Sequence, residues 1–118
     1  MENLNTEKNK KTTRDRKIAQ TIYSKRSEVH QKFCKIKKYT YKDGNISCLQ
    51  KELISIGISV VIDCKSCMEW HIKQALDIGA TEAEIIEAIE VGIEMGNGQT
   101  TVSARFAMDV LEFYTRSE

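Results

Sequence analysis

The sequence predicts an all-α fold: a bundle of about five to six helices around one core. Three observations carry this. Apolar residues recur at spacings of three, four and seven along most of the 118 residues. Ser or Thr followed three residues later by Gln or Glu marks two helix starts. The chain has no proline, so nothing forces a break inside a helix, and the connections between periodic runs are short. A length of 118 residues suits one domain, and 41% hydrophobic against 30% charged residues is the balance of a soluble globular chain.

In chain order, residues 1–13 are polar and repetitive, and a frayed or flexible segment is expected there. From Arg14 to Lys38 the apolar positions Ile18, Ile22, Tyr23, Val29, Phe33, Cys34 and Ile36 fit one amphipathic helix. His30 on this helix reads as a surface or groove histidine without a role. Asp43-Gly44-Asn45 signals a turn. Ser47 with Gln50 forms a capping box that opens a helix from about Cys48 to Ile62. That helix is apolar on nearly every side and is expected to be the central buried one; its length and cap outweigh a β-branched content that would suit a strand. A helix from about Cys64 to Leu76 follows, with Gly79 as its stop signal. Thr81 with Glu84 caps the next, about Glu82 to Met95, expected to bury Ile85, Ile86, Ala88, Ile89, Val91 and Ile93 and to leave its glutamates solvated. Gly96-Asn97-Gly98 reads as a turn or a tight interhelical passage without phosphate-loop spacing. Gln99 or Thr100 opens the last helix, to about Thr115, with Val102, Phe106, Ala107, Val110, Leu111 and Tyr114 on one face. No internal repeat is present.

Charge is divided along the chain. Residues 1–46 hold 13 Lys/Arg against 5 Asp/Glu, or +8, and residues 47–118 hold 5 against 12, or −7, within a net charge of +1. A basic arm could touch nucleic acid, but no nucleic-acid module is recognisable and aromatics are too few for base stacking. A solvated helix face, or docking against the acidic half of the same or a neighbouring subunit, is the preferred reading. The first twenty residues are charged and lack an apolar core, so no signal peptide is expected. No apolar run has the length of a membrane span, and a cytoplasmic location is expected.

The residues that carry chemistry are Cys64-Lys65-Ser66-Cys67-Met68-Glu69-Trp70-His71. On a helix Cys64, Cys67 and His71 follow one another a turn apart, on one stripe. Two thiols able to close a disulfide, with an imidazole beside them, are what thiol redox chemistry needs, since the thiolate reacts and a base or helix N-terminus makes it available. A metal site and a structural role for small buried cysteines compete with that reading. The histidine favours redox, as does the lack of a second C-x-x-C, because Cys34 and Cys48 stand alone. Met68 after Cys67 excludes a haem-attachment motif. Glu52 is a carboxylate on the helix expected to be most buried. It could simply suit the helix N-terminus. Alternatively, it lies 11 residues before Asp63, roughly 16 Å, while His71 lies 8 after, roughly 12 Å, so in antiparallel helices Glu52 could reach and orient the imidazole.

The run Lys51-Glu52-Leu53-Ile54, Cys64-x-x-Cys67-x-x-x-His71, Gly79-Ala80-Thr81, Glu84-Ile85-Ile86-Glu87-Ala88 and Met95-Gly96 resembles the carboxymuconolactone decarboxylase superfamily, within it the AhpD-like alkylhydroperoxidase branch, over roughly residues 44–114. The resemblance implies a single AhpD-like helical domain over residues 14–118, trimers or hexamers, and thiol-dependent hydroperoxide reduction without a cofactor. By the family pattern Cys67 is similar to the peroxide-attacking cysteine, Cys64 to the one that resolves it, and Glu52 and His71 to the proton relay. The implied partners are a hydroperoxide and an unidentified thiol or disulfide reductant, with neither nucleic acid nor membrane. Ser66 stands where some members have a histidine, and Gln99 follows Gly98 where a proline is usual. Retaining both cysteines argues against lactone decarboxylation. The alternatives are a zinc site made by Cys64, Cys67, His71 and a further ligand such as Cys48, and a basic-armed interaction protein with a vestigial site.

Overall fold

The structure, a computed structural model, describes the backbone of residues 4–116 and the side chains of residues 7–116. These residues form six helices: α1 (Leu4–Arg26), α2 (Glu28–Thr40), α3 (Cys48–Val61), α4 (Lys65–Asp77), α5 (Glu82–Gly96) and α6 (Thr100–Arg116). No strand occurs among the described residues. The core is built from α3 to α6, where Ile56, Val60, Met68, Ile72, Ile85, Ile89, Ala107 and Val110 are fully enclosed. Helix α3 packs on α4, α5 and α6, which makes it the centre of the bundle.

Both expected capping boxes form. Ser47 accepts from the Gln50 amide at 3.1 Å while the Gln50 side chain takes the Ser47 amide, and Thr81 and Glu84 do the same for α5. Each box satisfies two amides that a helix start would leave bare. Gly79 ends α4 with φ of 103°, which lets Ala80 N–H reach the Ala75 carbonyl at 2.9 Å. Helices α3 and α5 cross where Gly57 faces Gly92; a Cβ on Gly92 would lie 2.7 Å from the Gly57 carbonyl oxygen.

The N-terminal third departs from expectation. Helix begins at Leu4, so residues 4–13, expected to be frayed, are helical, and residues 1–3 lie outside the described residues. The single helix expected over Arg14–Lys38 is two, because Ser27 takes an extended backbone and its hydroxyl accepts from the His30 amide at 3.1 Å, restarting the helix as α2. The apolar stripe of this region does not face the core. Asn9 and Arg16 of α1 are buried instead, against α6 and α4, and α2 buries no residue at all.

Two further expectations are corrected. Helix α3 is central but not enclosed, since Ile54, Ile58, Val61 and Ile62 are exposed. Val91 of α5 and Val102 of α6 are exposed as well. Helix α3 is covered by α4, α5 and α6 on some sides only, and no other helix among the described residues packs on the remaining side. No helix among the described residues is long and apolar enough to cross a membrane.

Candidate active site

The turn between α3 and α4 is three residues long, and its hydrogen bonds explain where the first cysteine falls. Asp63 N–H bonds the Val60 carbonyl at 3.3 Å and Cys64 N–H bonds the Ser59 carbonyl at 3.0 Å, the paired closure of a Schellman motif. Asp63 occupies its left-handed position, with φ of 52°, and its carboxylate accepts from the Ser103 hydroxyl at 2.8 Å, tying the turn to α6. Cys64 is at once the residue that closes α3 and the N-cap of α4, where its sulfur accepts from the Cys67 amide at 3.3 Å. Cys67 stands one turn in, and the two are joined as a disulfide with their Cα atoms 5.2 Å apart. Both sulfurs sit at the positive end of α4, where a thiolate is favoured.

His71 follows Cys67 by one turn on the same helix. Its Nδ1 lies 2.7 Å from Glu52 Oε1, and both side chains are largely buried. With the carboxylate ionised, Nδ1 donates and the tautomer is fixed, leaving Nε2 able to take a proton. The contact between α3 and α4 that the chain distances suggested is therefore made. Tyr41, in the segment after α2, sets its ring 5.5 Å from the imidazole, and its hydroxyl donates to Ser55 Oγ at 2.5 Å, which in turn donates to the Lys51 carbonyl at 2.9 Å. Tyr41 thus walls the imidazole from the α3 side.

Sequence reasoning missed a second buried group inside the motif. Glu69 is fully buried on the face of α4 turned towards α1 and α6. Arg16 Nε of α1 donates to one of its oxygens and the Tyr114 hydroxyl of α6 to the other, while the Thr13 hydroxyl lies 3.2 Å from Tyr114. The Arg16 guanidinium also lies 4.6 Å from the centre of the Trp70 ring. Burial and the bond to Glu69 push the Tyr114 phenol up to about 12. One signal in the sequence pointed to Glu69: it lies three residues before Ile72 and seven before Leu76, on their stripe.

The other two cysteines lie apart from the pair. Cys48 heads α3, its amide donating to Asp43 Oδ1 at 2.7 Å; burial, then the negative charges of Glu52 and Asp43, raise its thiol above the ordinary value. Cys34 lies 3.8 Å from His30 Nδ1 on α2. Among the described residues no three His, Cys, Asp or Glu side chains converge as a metal site, so the set Cys64, Cys67, His71 and Cys48 is not gathered.

Residues 27–109 match the model of the carboxymuconolactone decarboxylase family. The chain is 34% identical over 86 residues to uncharacterized protein 4 in the cox locus of Paracoccus denitrificans, covering 73% of this chain and 78% of that protein. It is 33% identical over 73 residues to an uncharacterized protein of Cupriavidus necator, covering 62% and 65%. Its fold superposes on a carboxymuconolactone decarboxylase family protein of Legionella pneumophila with a TM-score of 0.86 at 24% identity, covering 92% of this chain and 98% of the other. A Thermotoga maritima family protein with a suggested part in the antioxidative response gives 0.79 at 24% identity, covering 89% and 90%. All-helical, matched by the family model over most of its length and carrying the cysteine pair at the head of α4, the chain belongs to the carboxymuconolactone decarboxylase family.

Proposed function

We propose that this protein is a thiol-dependent hydroperoxide reductase of the AhpD-like kind, cycling Cys64 and Cys67 between dithiol and disulfide. The observation that carries the reading is the joining of three things at one helix end: a bonded cysteine pair, the α4 N-terminus, and the His71–Glu52 dyad one turn on. Any one alone is common. Together they supply a thiolate, a partner thiol and a base.

In the reduced protein His71 Nε2 takes the Cys67 proton, and Glu52 steadies the imidazolium that results. The Cys67 thiolate attacks the terminal oxygen of the hydroperoxide. The S–O bond forms as the O–O bond breaks, and the departing alkoxide leaves as the alcohol with the proton held on His71. Cys67 is now a sulfenic acid. The Cys64 thiolate, stabilised at the N-cap by the Cys67 amide, attacks the Cys67 sulfur; the S–S bond forms and hydroxide departs, to be protonated to water. A dithiol reductant then returns two electrons and two protons through thiol–disulfide exchange. Ser66 brings no imidazole between the cysteines, so His71 is the base of the relay. The protein works without a cofactor, as a homo-oligomer and in the cytoplasm.

The test is intact-mass analysis after one equivalent of cumene hydroperoxide, with and without a sulfenic-acid reagent. The reading expects a Cys64–Cys67 disulfide in the wild type and a trapped sulfenic acid on Cys67 in Cys64→Ser. Peroxide turnover retained in Cys67→Ser would reverse the order of attack. No oxidation of either thiol would sink the redox reading altogether.

A further inference from the structure

Two apolar faces are left uncovered among the described residues, and they carry opposite charge. The first is a groove between α3 and α5, of about 710 Å³, formed by Leu53, Ile54, Ile58, Val91 and Met95 over the floor where Gly57 meets Gly92. Val91 is 62% exposed and Met95 72%. Helix α5 beside it bears five glutamates and no basic residue, and Glu84 and Glu87 line the groove.

The second face belongs to α2. Val29, Phe33 and Ile36, spaced by four and three, form one stripe and are 80%, 53% and 59% exposed. Among the described residues helix α2 packs only against α1, so no other described helix covers this stripe. Its charges are four lysines against one glutamate, with Lys32 and Lys37 flanking the stripe. Contiguous exposed apolar surface of this kind, rimmed by charge, marks a protein interface.

We infer that the α2 stripe of one copy seats in the α3/α5 groove of another. The choice of occupant follows from charge. Groove on groove would set Glu84 and Glu87 of one copy against those of the next, and α2 on α2 would set lysines against lysines. Helices in contact run 8–10 Å apart, close to the Debye length, so such repulsion is not screened away. Arm in groove places Lys32 and Lys37 against Glu84 and Glu87 while the apolar stripe leaves water. This contact is head-to-tail: each copy offers an arm at one face and a groove at another. It closes as a ring when the rotation between copies allows. The inference rests on the self-association proposed above and not on the thiol chemistry.

The experiment is sedimentation equilibrium on four samples of the full chain: wild type, Phe33→Asp, Val91→Asp, and an equimolar mixture of the two variants. Both substitutions are at exposed helix positions, and far-UV dichroism checks that helicity is kept. If either variant loses helicity, Ile36→Asp or Ile58→Asp takes its place. Each variant is expected to weaken association about 30-fold or more, and to run as a monomer where the wild type is assembled. The mixture keeps one intact arm and one intact groove, so it is expected to form a heterodimer and nothing larger. A variant that assembles as the wild type does, or a mixture that stays monomeric, would overturn the pairing and leave self-association standing. A monomeric wild type at 100-micromolar order would overturn both.

Discussion

At the scale of single residues, His71 and Arg16 separate chemistry from scaffold. His71→Asn removes the base but leaves a side chain able to bond Glu52. Peroxide consumption is expected to fall about 100-fold or more, the usual share of a positioned general base, with little change in melting temperature. An equal loss of stability would mean that the imidazole serves the fold instead. Arg16→Met is the opposite case. It strips the cation from buried Glu69, and breaking such a pair from one side costs about 3–5 kcal/mol. Thermal or urea unfolding checks this, and a cost under about 1 kcal/mol would show that Tyr114 alone suffices for the carboxylate. Glu69 was the less legible residue for a plain reason. His71 and Glu52 could be matched by counting helical rise from one turn, whereas the partners of Glu69 lie 53 and 45 positions away, in helices whose packing no local pattern states.

At the scale of elements, the close crossing of α3 and α5 depends on two absent side chains. Gly92→Ala would drive a methyl group into the Gly57 backbone, and overpacking of this kind costs about 1–3 kcal/mol. Denaturant unfolding measures it; a neutral or stabilising result would show that the helices can part without loss. The helices of the core half were readable from periodicity and caps, because there one face of each apolar stripe does enter the core. The break at Ser27 was not, since a serine without Gln or Glu three residues on gives only half of the signature. The stripe of the N-terminal helices was seen, but its exposure was not. Periodicity tells that a face wants to leave water, and it does not tell whether the cover comes from the same chain.

At the scale of the whole molecule, the Thr13–Tyr114–Glu69–Arg16 cluster joins the first helix, the fourth and the last, and gives the fold a signature in pH. The Tyr114 phenol is raised from its ordinary 10 to about 12, chiefly because burial disfavours the phenolate and then because its proton is shared with Glu69. The folded state therefore holds this proton more tightly than the unfolded chain does. Its contribution to stability is complete below pH 10 and is lost as pH rises towards and through 12. Melting temperature is expected to fall more steeply between pH 10 and 12 in the wild type than in Tyr114→Phe, which has no proton to lose. Parallel falls would place the source elsewhere. The same scale shows why the fold class could be read and the place of the uncovered faces could not. Periodic apolar runs and two capping boxes suffice to name a bundle, but the charge division between the two halves gains meaning only once both uncovered faces are located.

Cys64 finishes one helix and starts the next with no residue between the two tasks. A loop of ordinary length absorbs insertions and deletions over evolutionary time without disturbing what it connects. Here there is no such slack. Inserting or deleting a residue at Ile62 or Asp63 would undo the closure of α3 and at the same moment shift Glu52 relative to His71. The spacing from the glutamate to the first cysteine is thus set by bundle geometry as much as by chemistry.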